Sequence, residues 1–258
     1  MNIKNYIKQN QPILNVYFTA GYPELEDTGA TVLALQREGA QMIEVGMPYS
    51  DPMADGETIQ KSSAQAIKNG MTLEVLFKQL SEIKTQVKIP LVFMGYLNQW
   101  MQYGKEKFLI DAKSAGISGL IIPDLPLNVY ESEYKNLVEK HDLGMTFLIT
   151  PNTSDERIQK AAELSSGFLY VVSQSSITGA KTGISKEQLS YFERIKNMSF
   201  GTPKLIGFGI SSAQTFNQAC QYADGAIIGS AFIRAVSNTE KPLEKNIHSF
   251  ISSILENA

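Results

Sequence analysis

The chain has 258 residues, 43% hydrophobic and 19% charged, with a formal net charge of -3. That length suits one α/β barrel or two smaller domains, and the mild acidity argues against a dedicated nucleic-acid binder, which carries a basic surplus. A single cysteine, Cys220, excludes an internal disulfide, and two histidines, His141 and His248, leave little for a His-rich metal site or a Ser-His-Asp triad.

The N-terminal segment, 1–12, is polar and lacks the apolar centre of a signal peptide. No stretch nears the roughly 20 apolar residues of a membrane span, so a cytoplasmic protein is expected. From there, short apolar runs rich in Val, Ile, Phe and Tyr recur at 13–19, 41–46, 90–94, 119–122, 145–149, 168–173, 204–208 and 225–229. They read as buried parallel strands. Between them lie amphipathic segments of helical period, at 26–38, 73–85, 131–141, 154–164, 186–196 and 213–221. Eight strands alternating with helices predict a single (β/α)₈ TIM barrel spanning 1–258 as one domain. A doubly wound sheet competes, but the first strand leads into Ala20-Gly21-Tyr22-Pro23, not a dinucleotide-binding glycine fingerprint.

In such a barrel, chemistry sits at the C-terminal ends of the strands. Glu44 interrupts an otherwise apolar strand. Alternation turns Met42, Glu44 and Gly46 towards the barrel and Ile43 and Val45 towards the helices. A carboxylate there is either satisfied by a neighbouring backbone group or is an acid/base whose proton burial retains. The loop behind it, 47–56, carries Asp51 and Asp55. Aspartates in turns commonly cap backbone, and Asp55 precedes a helix-like start at Gly56. Paired with Glu44, Asp55 instead supplies a second carboxylate flanking one substrate.

Glycines at 179 and 183, at 207 and 209, and at 229 follow the sixth, seventh and eighth strands. Loops after the last two strands of a barrel commonly hold a phosphate, because glycine lets backbone N–H groups come close. Ser211 or Ser212 equally reads as a helix cap. No lysine stands at a C-terminal strand end to form a Schiff base, and Lys204 opens its strand instead. Cys220, Trp100 and Tyr103 read as packing residues, the last two also as interface candidates. What remains is acid/base chemistry by carboxylates on a phosphorylated small molecule.

The stretch Glu44-Val45-Gly46-Met47-Pro48-Tyr49-Ser50-Asp51-Pro52-Met53-Ala54-Asp55-Gly56 resembles the signature of the tryptophan synthase alpha chain family. Phe18-Thr19-Ala20-Gly21-Tyr22-Pro23, Pro123-Asp124-Leu125-Pro126, the segment 173–179, Gly207-Phe208-Gly209-Ile210-Ser211 and Gly229-Ser230-Ala231 extend the resemblance along nearly the whole chain. It implies a lyase of tryptophan biosynthesis that cleaves indole-3-glycerol phosphate to indole and glyceraldehyde 3-phosphate, with no metal or organic cofactor in this chain. It implies that Glu44 is the general acid/base, protonating the ring carbon that bears the side chain, and that Asp55 accepts the indole N–H. Tyr170 falls near the glycerol portion. Gly179, Phe208, Gly209, Gly229 and Ser230 fall at phosphate- or ligand-contacting positions, and Phe18 and Phe208 at the indole pocket. Thr178 belongs to a mobile loop that closes over the site and supports Asp55.

The implied partner is a beta subunit carrying pyridoxal phosphate, in an alpha2beta2 heterotetramer. Indole passes to it through a tunnel and each subunit activates the other. The segments 48–55 and 123–127 and the region near Asn98 would face it. Glu57 stands where proline is common in the family, and Gln174 and Ser176 where Arg and Gly are frequent; these departures bear on loop stiffness and coupling. Two further readings use the same residues: a stand-alone indole-3-glycerol phosphate lyase, and an idle barrel that binds a phosphorylated ligand and regulates its partner. Intact Glu44 and Asp55 argue against the idle barrel. A phosphosugar isomerase would need a different acid/base pair at the barrel mouth.

Overall fold

The computed structural model describes residues 1–52, 55–173, 185–207, 209–238 and 240–255. A strand covered by helices outside and side chains inside must be apolar on both faces, and the apolar runs form such strands. In chain order the elements are α1 (Ile3–Asn10), β1 (Ile13–Thr19), α2 (Asp27–Glu38), β2 (Met42–Gly46), α3 (Glu57–Lys68), α4 (Leu73–Ile83), β3 (Leu91–Met94), α5 (Leu97–Tyr103), α6 (Lys105–Ser114) and β4 (Ile117–Ile121). There follow α7 (Leu127–Val129), a π-helical turn (Tyr130–Tyr134), α8 (Lys135–Lys140), β5 (Gly144–Ile149), α9 (Asp155–Leu164), β6 (Leu169–Val172) and α10 (Lys186–Asn197). The chain continues through β7 (Lys204–Gly207), α11 (Ala213–Cys220), β8 (Gly225–Ile228), α12 (Ser230–Val236) and α13 (Leu243–Leu255). The eight strands close into a barrel in sequence order, with β1 pairing in parallel to both β2 and β8.

Every predicted strand is present, with ends shifted by no more than two residues. The amphipathic segments are helices, except that 131–141 divides into the π-helical turn and α8. Side-chain oxygens of Asn2, Thr72, Ser154, Ser185 and Ser212 accept backbone N–H groups at the starts of α1, α4, α9, α10 and α11, which places those starts where the sequence offers a cap. Ser212 is therefore the cap of α11, as one reading of that residue had it. Among the described residues no helix is long and apolar enough to cross a membrane.

Helices α1, α3, α5, α6, α7, α12 and α13 were not among the predicted segments, although a helix start at Gly56 was read for α3. Helix α1 covers the N-terminal end of the barrel. Its Ile3 side chain occupies the space that a Cβ on Gly119 of β4 or Gly144 of β5 would need, and those two glycines are register partners. Trp100 of α5 is fully buried against Phe108 and Tyr134, and its indole N–H donates to the Lys105 carbonyl at 2.9 Å. It is a packing residue. Cys220 is half-buried at the end of α11, and burial pushes its thiol up to about 12, far from a reactive thiolate.

Where β8 meets β1 the strands approach too closely for a side chain. A Cβ on Gly225 would lie 2.3 Å from the Ile13 carbonyl oxygen. Backbone cannot rotate aside, so Gly225→Ala should destabilise the barrel by roughly 1–3 kcal/mol. Urea unfolding checks this, and a midpoint equal to that of the unaltered protein would contradict it.

Candidate active site

Strand alternation sets which residues of β1 and β2 face the interior. The Asn15 amide (Nδ2) donates to Glu44 Oε1 at 2.6 Å, so Asn15 and Glu44 share a face. Tyr17, the register partner of Glu44, lies on that face too, its ring covering Gly46 where a Cβ would stand 2.2 Å from the phenol oxygen. On the far side of the barrel Tyr170 of β6 covers Gly207 of β7 in the same way, at 2.3 Å. Its phenol is within electrostatic reach of Glu44, Asp55 and Tyr17. Two phenols and two carboxylates thus converge inside the barrel at the C-terminal ends of its strands.

Glu44 is 0% exposed and Asp55 7%. Burial pushes the Glu44 carboxyl up to about 8, against the opposing effect of the Asn15 hydrogen bond. Burial likewise raises Asp55, opposed by the Tyr96 hydroxyl, which donates to Asp55 Oδ2 at 3.2 Å. Both phenols are pushed up by burial and by the nearby carboxyl groups, so they stay neutral donors. Glu44 therefore holds its proton near neutral pH and can give it up there, as a general acid requires.

The helix-cap reading of Asp55 does not hold. The residue before α3 is Gly56, among the described residues no side chain caps that end, and the Asp55 carboxylate accepts instead from Tyr96. Asp51 is exposed and accepts from the Ser50 hydroxyl at 2.5 Å, away from this cluster.

The loops around Asp55 are tied together. Gln99 donates to the Pro48 carbonyl, Asn98 to the Tyr49 hydroxyl, and the Leu97 N–H to Asp124. Tyr49 stacks on Tyr96 with ring centroids 5.0 Å apart. The segments 48–52, 96–99 and 123–127 therefore form one continuous stretch of the rim beside Asp55.

Tyr170 lies inside the barrel, whereas Phe18 does not line it. Phe18 is buried, but it stands on the opposite face of β1 from Asn15 and Tyr17, towards the helices. The interior aromatic of this strand is Tyr17. Gly209 follows β7 with φ +79°, a left-handed conformation that favours glycine. Gly229 follows β8 at the start of α12, which opens with Ser230. Thr178, Gly179 and Phe208 lie outside the described residues, as do Gln174 and Ser176. Lys204 begins β7 at the end of the barrel away from these groups.

Asn15, Tyr17 and Tyr96 are the site residues that sequence reasoning missed. A signal for Asn15 was present: an amide within Ile13-Leu14-Asn15-Val16 interrupts an apolar strand as Glu44 interrupts the next. Among the described residues no group of three His, Cys, Asp or Glu side chains is arranged to hold a metal ion.

The chain as a whole has known relatives. A family model for the tryptophan synthase alpha chain matches residues 3–257. The tryptophan synthase alpha chain of Flavobacterium johnsoniae is 52% identical, over 92% of this chain and 94% of that one. The structure of tryptophan synthase subunit alpha from Legionella pneumophila superposes with a TM-score of 0.88 at 28% identity, covering 100% of this chain and 98% of that one. A chain of the tryptophan synthase a2b2 complex from Pyrococcus furiosus gives 0.88 at 32% identity, covering 95% and 98%. With an unbroken family match over nearly its whole length, this chain belongs to the tryptophan synthase alpha chain family.

Proposed function

We propose that the chain cleaves indole-3-glycerol phosphate to indole and glyceraldehyde 3-phosphate, with Glu44 and Asp55 as its catalytic residues. The observation that carries this is the pair of buried carboxyl groups, hydrogen-bonded by the neutral donors Asn15 and Tyr96, at the end of β2 and in its loop. Glu44 delivers its proton to the indole ring carbon that bears the glycerol chain. The ring nitrogen then carries positive charge, which Asp55 stabilises by accepting the N–H. Glu44, now a carboxylate, takes the proton of the side-chain hydroxyl next to the ring; the oxygen forms the aldehyde carbonyl, the carbon–carbon bond breaks, and its electron pair restores the aromatic ring. No net oxidation occurs and no water is consumed.

Tyr170 and Tyr17 shape the wall beside the carboxyl groups and keep water from them. The phosphate sits against Gly209, Gly229 and Ser230, with Gly179, because glycine leaves backbone N–H groups open to an anion. Phe208 covers the indole, and Thr178 supports Asp55 from a loop that closes over the ligand. The whole chain acts as one domain.

The partner on this reading is a beta subunit, in an alpha2beta2 assembly, and it docks on the tied rim formed by 48–52, 96–99 and 123–127. Pyridoxal phosphate belongs to that subunit. The cytoplasm is the compartment.

Indole release from indole-3-glycerol phosphate, measured with and without a beta subunit from the same organism, tests the proposal. Slow release alone and about ten-fold or faster release with the partner is expected. Equal rates would make the chain a stand-alone lyase. No release in either case, with glycerol phosphate still bound, would leave an idle regulatory barrel.

A further inference from the structure

Asn15 sits in the barrel interior with no exposed surface, surrounded along β1 by Ile13, Leu14 and Val16. An amide in such a place is costly unless its hydrogen bonds are made. Among the described residues Asn15 makes one, its Nδ2 donating to Glu44 Oε1 at 2.6 Å. Among the described residues its own Oδ1 and the second carboxyl oxygen, Glu44 Oε2, are both buried without a partner. A leucine of similar size would fill the space without an unsatisfied amide, so packing does not account for asparagine here.

The register shows how the contact is built. Asn15 pairs with Met42, and Tyr17 with Glu44, so Asn15 lies one interior layer nearer the N-terminal end of the barrel than Glu44. Its amide approaches the carboxyl from beneath and occupies one oxygen.

We propose that Asn15 is a positioning residue that holds Glu44 Oε1 and so leaves Oε2 as the oxygen that exchanges the proton with substrate. This rests on Glu44 being the acid of the cleavage proposed above. Two effects follow. A hydrogen bond to one oxygen restrains rotation of the carboxyl, so the proton is delivered from a narrower range of positions. The amide also favours the ionised carboxylate and counters burial, which keeps the proton exchangeable near neutral pH. Among the described residues the other titratable groups near Glu44 are Tyr17 on β1 and Tyr170 on β6, and Asp55 after β2 lies near both phenols. The phenols stay neutral, so Glu44 sets the alkaline limb of activity.

The test compares the unaltered chain with Asn15→Leu, with the beta subunit present. Expected are a kcat lower by roughly 10–100-fold and a KM within about two-fold. The alkaline limb of kcat should move up by about one pH unit, because the donor to the carboxylate is gone. A folded variant with unchanged kcat and an unchanged limb would reduce Asn15 to packing and overturn the proposal. Should the variant not fold, the unaltered protein decides. Its ¹⁵N-labelled Asn15 side-chain amide should titrate with the midpoint of the alkaline limb, and that titration should vanish in Glu44→Gln. An amide that does not respond to pH overturns the proposal. If the unaltered chain cleaves no indole-3-glycerol phosphate, the function proposed above fails, and the amide titration alone judges whether Asn15 holds Glu44.

Discussion

Glu44→Gln is expected to lower kcat for indole release by roughly 10²–10⁴-fold, the usual contribution of a positioned general acid. Binding of indole-3-glycerol phosphate should change by less than about three-fold, because glutamine keeps the shape and can still accept from Asn15. The loss follows because, among the described residues, Glu44 is the group placed to exchange that proton: the two phenols are pushed too high and Asp55 serves the ring nitrogen. The unaltered enzyme should accordingly lose activity as pH rises past about 8, when Glu44 gives up its proton without substrate. Steady-state kinetics across pH, with ligand binding by calorimetry, checks both points. Turnover retained in the variant would remove Glu44 from the acid role.

The same substitution should stabilise the folded protein at alkaline pH. An unfolded chain carries Glu44 at its ordinary value of 4.5, and the folded chain holds it at about 8. Between those values the folded state binds a proton that the unfolded state has released. Stability therefore falls as pH rises through that window, by about 1.4 kcal/mol for each pH unit from this one group. It is fully retained below pH 4.5 and is lost by the time Glu44 ionises in place. Asp55, also raised, adds to the fall in the same direction, so the difference between the two proteins isolates Glu44. Urea unfolding at pH 5 and pH 9 should show Glu44→Gln gaining a few kcal/mol on the unaltered chain at the higher pH. A constant difference would mean that Glu44 is not proton-bearing in the folded state. The acid needed for cleavage is thus held at a cost in stability, as expected of a strained functional group.

The strands were legible because buried parallel strands leave uninterrupted apolar runs, such as Leu169–Val172 and Gly225–Ile228. The carboxyl pair was legible because a charge within such a run, or close behind it, is costly to bury and so stands out against its neighbours. The face of β1 was harder to read. Tyr17 and Phe18 are adjacent aromatics at a strand end, and only one can face the interior; the polar Asn15 two residues before Tyr17 settles which. Tyr96 came from a third element, and its approach to Asp55 depends on how the loop after β3 folds over the loop after β2. Helices α5 and α6 were obscured because they follow one another across Gly104, with Trp100 turned into an aromatic cluster and no simple apolar stripe.

The two tyrosines that lie over glycines on the next strand tie pairs of positions to a common fate. A methyl group at Gly46 would need the space of the Tyr17 ring, and one at Gly207 that of Tyr170. Such a change could persist in a lineage only alongside a smaller side chain at the covering position. That exchange would open a gap next to Glu44, let solvent in, and make the acid stronger. The two glycines thereby bear on the proton affinity at the centre of the barrel through the rings that cover them.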